Sequence, residues 1–224
     1  MISETQGGPK SSRLLDLLEP VARCFMEQLA HQEAMPISQM SLEAARAYMQ
    51  GSQRAPMEDS SVDVEATEIA GLRVCIVRQV GQRGDLPVLL YLHGGGWVLG
   101  GPETHAQIVH SLAHMAEAAV VVPDYALAPE HPYPAALNQC YAIAQHLVAA
   151  KPGSGIDGKR IAVAGDTAGG NLAAALALRA VQQGDVRFCL QALICPALWA
   201  HPSTKSYQDF CVGLNLTSED MQWF

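Results

Sequence analysis

An α/β fold, a mostly parallel sheet with helices on both faces, is the class this sequence predicts, and three observations predict it. Strand-like and helix-like segments alternate between residues 87 and 194. Two of the strand-like runs, Val88-Leu89-Leu90-Tyr91-Leu92 and Ala119-Val120-Val121-Val122, are apolar without interruption, the pattern of strands covered on both sides. Glycine-rich turns follow strand-like runs at 94–96 and 165–170, and sheets of this class place their sites at the carboxyl ends of strands.

The elements follow in order. Ser12 to Gln32 carries Leu14, Leu15, Leu18, Val21, Phe25 and Leu29 at helical spacing, with Pro20 expected to interrupt or kink the helix. Ser41 is a candidate N-cap for a second helix through Leu42, Ala45, Tyr48 and Met49. A polar, proline-containing link from Gly51 to Ser60 leads to alternating runs at Val62-Val64-Ala66 and Leu72-Val74-Ile76. With Gly71 between them, they read as two hairpin-linked strands. The strand Pro87 to Leu92 comes next, then a helix from about Glu103 to Glu117 and the strand Ala119 to Pro123. A proline-rich loop leads to a helix from Pro134 to Ala150, and a glycine-rich turn from Lys151 to Gly158 precedes a strand at Arg160 to Ala164. The helix Ala168 to Gln183 and the strand Phe188 to Ile194 complete the alternation. Thr217-Ser218-Glu219-Asp220 has a helix-start signature, but the remaining turn up to Phe224 is expected to be too short to hold a helix.

Composition narrows the function classes. At 224 residues, 49% apolar and 16% charged, the chain can bury a substantial core and reads as one globular domain better than two. A formal net charge of -8 repels phosphate backbones and anionic lipid surfaces, which argues against nucleic acid or a membrane as partner. Six scattered cysteines show neither a Cys-x-x-Cys pair nor histidines at ligand spacing. They read as small buried apolar residues in a reducing compartment, and no metal or other cofactor is expected. The polar N-terminus has no apolar targeting segment, so the expected location is cytoplasmic.

The two glycine-rich turns carry the chemistry. In Ile161-Ala162-Val163-Ala164-Gly165-Asp166-Thr167-Ala168-Gly169-Gly170-Asn171, a hydroxyl residue stands at the apex of a turn between strand and helix, the layout of a nucleophile elbow. Such a turn projects the nucleophile's oxygen over the sheet while the following helix aims free N–H groups at the same spot. One oxyanion donor is then the N–H of Ala168. The others are those of Gly95 and Gly96 in His93-Gly94-Gly95-Gly96-Trp97, where a side chain would bar the backbone from a substrate oxygen. Two unrelated structural turns are the alternative, because glycine-rich turns also bind phosphates.

At these residues, and at Pro123-Asp124-Tyr125-Ala126-Leu127-Ala128-Pro129-Glu130-His131-Pro132-Tyr133-Pro134-Ala135-Ala136, the chain resembles the hormone-sensitive-lipase-like family of α/β-hydrolases, carboxylesterases acting mainly on short acyl esters. The resemblance implies an α/β-hydrolase core over 56–224, incomplete in its last strands, with N-terminal cap helices over 1–55. It also implies Thr167 at the nucleophile position and Gly95, Gly96 and Ala168 at the oxyanion hole. His93 would orient the glycine loop and not serve as base.

Three departures accompany it. Thr167 stands where the family has serine, and its γ-methyl stiffens χ1 at a strained position, so severe loss of activity is expected. Ala126 stands where an arginine is common, so a polar contact there is expected to be lost. The family's order is nucleophile, acid, histidine; after Thr167 the only histidine is His201, and the only acid between them is Asp185. That pair reads as a surface turn and a loop histidine, which leaves acid and base missing and suggests truncation. The strand 188–194 is then expected to leave an open apolar edge through which copies of the chain associate.

Other candidates read plainly. His110 and His114, four apart on a helix, lack a third ligand and read as surface histidines; Asp124 reads as a loop anchor. Two function classes remain, an esterase scaffold acting on a small-molecule ester and a non-catalytic relative that binds a small ligand.

Overall fold

The computed structural model describes residues 15–16, 18–31, 35–52, 59–199, 204–211 and 216–224. They group into two compact units, one of residues up to 45 together with 199–224 and one of residues 46–198.

The larger unit is built on a six-stranded sheet: β1 (Val62–Ile69), β2 (Leu72–Gln79), β3 (Leu86–Leu92), β4 (Ala119–Pro123), β5 (Ile156–Asp166) and β6 (Phe188–Ile194). Its order is β1-β2-β4-β3-β5-β6. The first two pairings are antiparallel and the remaining three parallel. The hairpin pairs Ile69 with Leu72 across a two-residue turn.

Strand β5 is longer than the sequence suggests. It begins at Ile156, inside the expected glycine-rich turn, because Ile156 pairs with Leu86 and the Leu86 N–H donates to Gly155 O. The exposed Lys159 and Arg160 hide this extension from a hydropathy pattern.

Alternating side chains of the strands feed opposite faces. Val88, Leu90, Val121, Ile161 and Val163 pack with helices α4 (Ala135–Val148) and α5 (Ala168–Gln183) through Ile143, Leu147, Leu172 and Leu176. Leu89, Tyr91, Val120, Val122 and Ala164 pack with α3 (Ala106–Ala116) through Val109 and Ala113. Helices therefore cover both faces. Strand β6 lies at one edge of the sheet, with Leu190 and Ile194 exposed.

In the smaller unit, α1 runs Pro20–His31. Pro20 is its first residue, where the missing N–H removes no intrahelical bond; Leu15 is helical and a turn and a bend separate it from α1, so the helical run is interrupted before Pro20, as expected, while residues 12–14 of the expected helix lie outside the described residues. The Ala44 N–H donates to Ser41 Oγ, the expected cap of α2 (Leu42–Ser52), whose residues from Arg46 onward belong to the larger unit. After α6 (Lys205–Asp209), the C-terminal turn corrects the expectation made for it: Ser218–Trp223 is helical, as α7. A reciprocal capping box between Thr217 and Asp220 holds it, and buried Asp220 also accepts the Ser38 N–H at 2.8 Å. A short helix that fails alone persists when its first turn is bonded this way. Among the described residues no helix is long and apolar enough to cross a membrane.

Leu90, wholly buried in β3, anchors the larger face. Leu90→Ala should cost about 2–5 kcal/mol in urea unfolding. Leu178→Ala, at a position 61% exposed on α5, should change stability by less than about 0.5 kcal/mol.

Candidate active site

Strands β3 and β5 are neighbours in register, with Leu92 opposite Gly165. The loops that leave their carboxyl ends therefore meet. The first turn of α5 comes so close to the end of β3 that a Cβ on Gly169 would collide with the carbonyl oxygens of Leu92 and His93. Only glycine permits that approach.

At the apex, Thr167 adopts φ 48° and ψ −110°. Such a backbone costs about 1–3 kcal/mol, more keenly felt by a β-branched residue, and persists only where its surroundings enforce it. Here they do. The Thr167 N–H donates to Ile194 O at 2.9 Å, and its carbonyl accepts from Asn171 N at 3.1 Å and Ala197 N at 3.0 Å. Asn171 Nδ2 donates in turn to Ala197 O at 2.8 Å, so the loop after β6 clamps the turn.

The Thr167 hydroxyl faces the glycine loop. A Cβ on Gly94 would lie 2.5 Å from Thr167 Oγ1 and would overlap the Asp166 carboxylate. Gly95 and Gly96 have φ of 115° and 61°, and the Gly95 carbonyl accepts from the N–H groups of Val98 and Leu99, which curls the loop. Among the described residues, the N–H groups of Gly95, Gly96 and Ala168 donate to no protein acceptor. Thr167, Gly95, Gly96 and Ala168 are thus gathered where β3 and β5 end.

The family described as alpha/beta hydrolase fold matches residues 89–224, a stretch containing both loops. The chain belongs to the alpha/beta hydrolase family. Within it the likeness is to the hormone-sensitive-lipase-like esterases. The chain is 43% identical over 127 residues to the carboxylesterase NlhH of Mycobacterium tuberculosis, covering 57% of this chain and 40% of that one. A thermostable esterase from Pseudomonas putida superposes with TM-score 0.82 at 34% identity, over 99% of this chain and 68% of that one. The hyperthermophilic esterase of Pyrobaculum calidifontis gives TM-score 0.79 at 34% identity, over 92% and 68%. The chain spans between 39% and 60% of the length of the curated relatives it matches.

Around the hydrolase elbow lies a polar cluster, centred on the partly buried Asp166, that the motifs did not signal. Asp166 Oδ1 accepts from the Tyr91 hydroxyl at 2.8 Å and from the Gly94 N–H at 3.0 Å, while Oδ2 lies 3.5 Å from His105 Nε2. Burial works to raise the Asp166 carboxyl, but His105, Tyr91 and Gly94 outweigh it and hold it below its ordinary value. Burial, with Asp166 beside it, pushes the Tyr91 phenol up, which keeps it a donor. The one available signal was an acid between an apolar strand and a glycine turn, where an unpaired charge would be costly.

His93 is fully buried behind the loop, with Nδ1 2.8 Å from Gly94 O and its ring stacked on Tyr125 at 4.2 Å. The Tyr125 hydroxyl donates to His93 O at 2.7 Å. Arg46 secures the loop's far side, donating from Nε to Val98 O and from Nη2 to Ala128 O, and gripping both oxygens of Glu130 at 2.8 Å. That grip holds the Glu130 carboxyl down to about 2. The segment containing Ala126 therefore has a polar anchor after all, supplied by α2. A cavity of about 350 Å³ opens there, lined by Arg46, Gln50, Gly100, Leu127, Glu130 and His131.

The remaining candidates lie elsewhere. Asp185 accepts from the Tyr141 hydroxyl and from Gln145 Nε2, just before β6 begins, whereas Thr167 neighbours the strand's far end at Ile194. The expected weakness of an Asp185–His201 pair rests there on Asp185 alone, since His201 lies outside the described residues. Asp124 is bonded to Arg73 Nε at 2.8 Å, as a loop anchor should be. His110 Nδ1 lies 3.5 Å from Asp59 and His114 is exposed.

Burial pushes the His93 ring down to about 4, against 6.5 in an unfolded chain. The unfolded state thus binds the proton first, so the stability tied to this ring is intact above pH 6.5 and drains away as pH falls toward 4. Urea midpoints between pH 8 and 4 should fall more steeply for the parent chain than for His93→Gln; equal slopes would contradict the assignment.

Proposed function

We propose that this chain is the scaffold of a carboxylic ester hydrolase acting on short acyl esters, with Thr167 in the nucleophile position. The observation that carries the reading is the strained Thr167 hydroxyl facing a glycine loop beside three N–H groups without acceptors. An ester carbonyl carbon placed over Oγ1 would be attacked there. Its oxygen, gaining negative charge, would accept from the N–H groups of Gly95, Gly96 and Ala168. The alcohol leaves with a proton, and water hydrolyses the acyl-enzyme. His93, neutral and stacked, orients the loop and takes no proton.

Turnover is weak or absent. Among the described residues no histidine bonds to Thr167 Oγ1, so no base is placed to remove its proton, and the γ-methyl restricts the hydroxyl's swing. That observation favours a second reading, a non-catalytic relative that keeps the pocket and binds a small molecule. On the first reading, residues 1–55 are the family's helical cap and 56–224 its core, and the six free cysteines fit the reducing cytoplasm, although, contrary to the expectation that they are buried, only Cys140 is, and Cys24, Cys189 and Cys195 are exposed. The exposed edge of β6 is the surface for self-association.

Hydrolysis of p-nitrophenyl acetate separates the readings. Thr167→Ala should abolish turnover and Thr167→Ser should raise it by about tenfold or more, equivalent to roughly 1.4 kcal/mol in the barrier. Turnover that survives Thr167→Ala would refute threonine as nucleophile, and none in any form would leave the binding role. Light scattering at micromolar concentration should show species larger than a monomer, reduced by Leu190→Lys on β6; a clean monomer would rule out the edge contact.

A further inference from the structure

We infer that Asp166 and His105 form a positioning pair that sets the spacing between the Thr167 hydroxyl and the N–H groups of the glycine loop. The inference rests on the esterase reading for its catalytic consequence, and on geometry alone for its structural one.

Asp166 is bonded covalently to Thr167, so any group held by its carboxylate is held at a fixed offset from Thr167 Oγ1. What it holds is the Gly94 N–H, at 3.0 Å. Gly94 lies one residue before the two candidate oxyanion donors, and no side chain at 94 could fit between the loop and Asp166. A hydrogen bond across 72 residues of sequence thus joins the elbow to the loop opposite.

The carboxylate is itself held by two rings. Tyr91, on β3, donates to Oδ1 at 2.8 Å. His105 Nε2 lies 3.5 Å from Oδ2 and 3.3 Å from the Gly94 nitrogen, so the ring touches both members of the contact. Its other nitrogen is 2.8 Å from Thr104 Oγ1, which donates to Gly101 O and accepts the Gly101 N–H. Thr104 and His105 therefore tie the loop's exit at Gly101 to its entrance at Gly94. His105 is buried and sits as the N-cap of α3. The packing of α3 against the sheet then fixes the height of the ring, and through it the loop.

Among the described residues no hydrogen bond joins the Asp166 carboxylate, Tyr91 or His105 to Thr167 Oγ1. The network's output is distance. A donor set displaced by about 1 Å from the developing oxyanion costs on the order of 10²-fold in rate while leaving ground-state binding largely intact.

The test uses the full chain in the Thr167→Ser background, with Asp166→Ala, Asp166→Asn and His105→Phe. Two readouts are taken: hydrogen exchange, by mass spectrometry, of a peptide covering 92–101 against one covering 137–148 in α4, and kcat and KM on p-nitrophenyl acetate. Asp166→Ala should speed exchange in 92–101 about tenfold with 137–148 unchanged, and lower kcat on the order of 10²-fold with KM within about twofold. Asp166→Asn keeps an oxygen acceptor for Gly94 and Tyr91 and should recover most of both. His105→Phe should also loosen 92–101, and it carries the test if Asp166→Ala does not fold. Unchanged exchange in 92–101 in folded Asp166→Ala or His105→Phe overturns the inference, as does Asn performing no better than Ala. Faster exchange in a protein that never turns over supports the positioning pair and counts against the esterase reading instead.

Discussion

The close approach of α5 to the end of β3 is the contact on which the rest of the site depends. Gly169 presses against the carbonyls of Leu92 and His93 with no room for a Cβ, and Gly165 against the backbone of Gly169. Any retreat of the helix would open the elbow and withdraw Thr167 from Gly94. It would also draw the N-terminal N–H groups of α5, the partly positive end of that helix, away from the loop they share with Gly95 and Gly96. Three backbone segments can converge only because glycine stands at each crossing point.

That convergence leaves a carboxylate inside an apolar sheet end. Uncompensated, a carboxylate only one-fifth exposed would still weaken the fold. Here the sheet supplies the compensation. Tyr91 points to the face covered by α3, and the N-cap residue of α3 is His105, so the packing that buries Val109 and Ala113 also brings the Tyr91 hydroxyl and the His105 ring to Asp166. Stability and site geometry are consequently coupled: the helix that closes one face of the core sets the height of the loop on its rim.

Much of this was legible along the chain. Continuous apolar runs marked β3 and β4, the alternation of strand-like and helix-like segments marked α3 to α5, and glycine spacing marked both loops, because burial and close approach each demand particular residue types locally. The less legible parts have specific causes. Lys159 and Arg160 masked the extension of β5, whose pairing with β3 overrides their polarity. The helix α7 was underrated because, besides its local capping box, its first turn is bonded to Ser38, far away in sequence. Arg46 gave no signal of its role, since its partners at Val98, Ala128 and Glu130 lie 52 to 84 residues away.

The sequence by itself determined the α/β class, the order of its elements, and the address of Thr167 between a strand and a helix. Local residue types suffice for that, because periodicity, capping and glycine freedom act over a few residues. Tertiary structure alone decided which side chains surround that address. Asp166, Tyr91, His105 and Arg46 acquire their roles through contacts that form only when distant segments pack, and there only geometry distinguishes a bonded carboxylate or guanidinium from a solvated one.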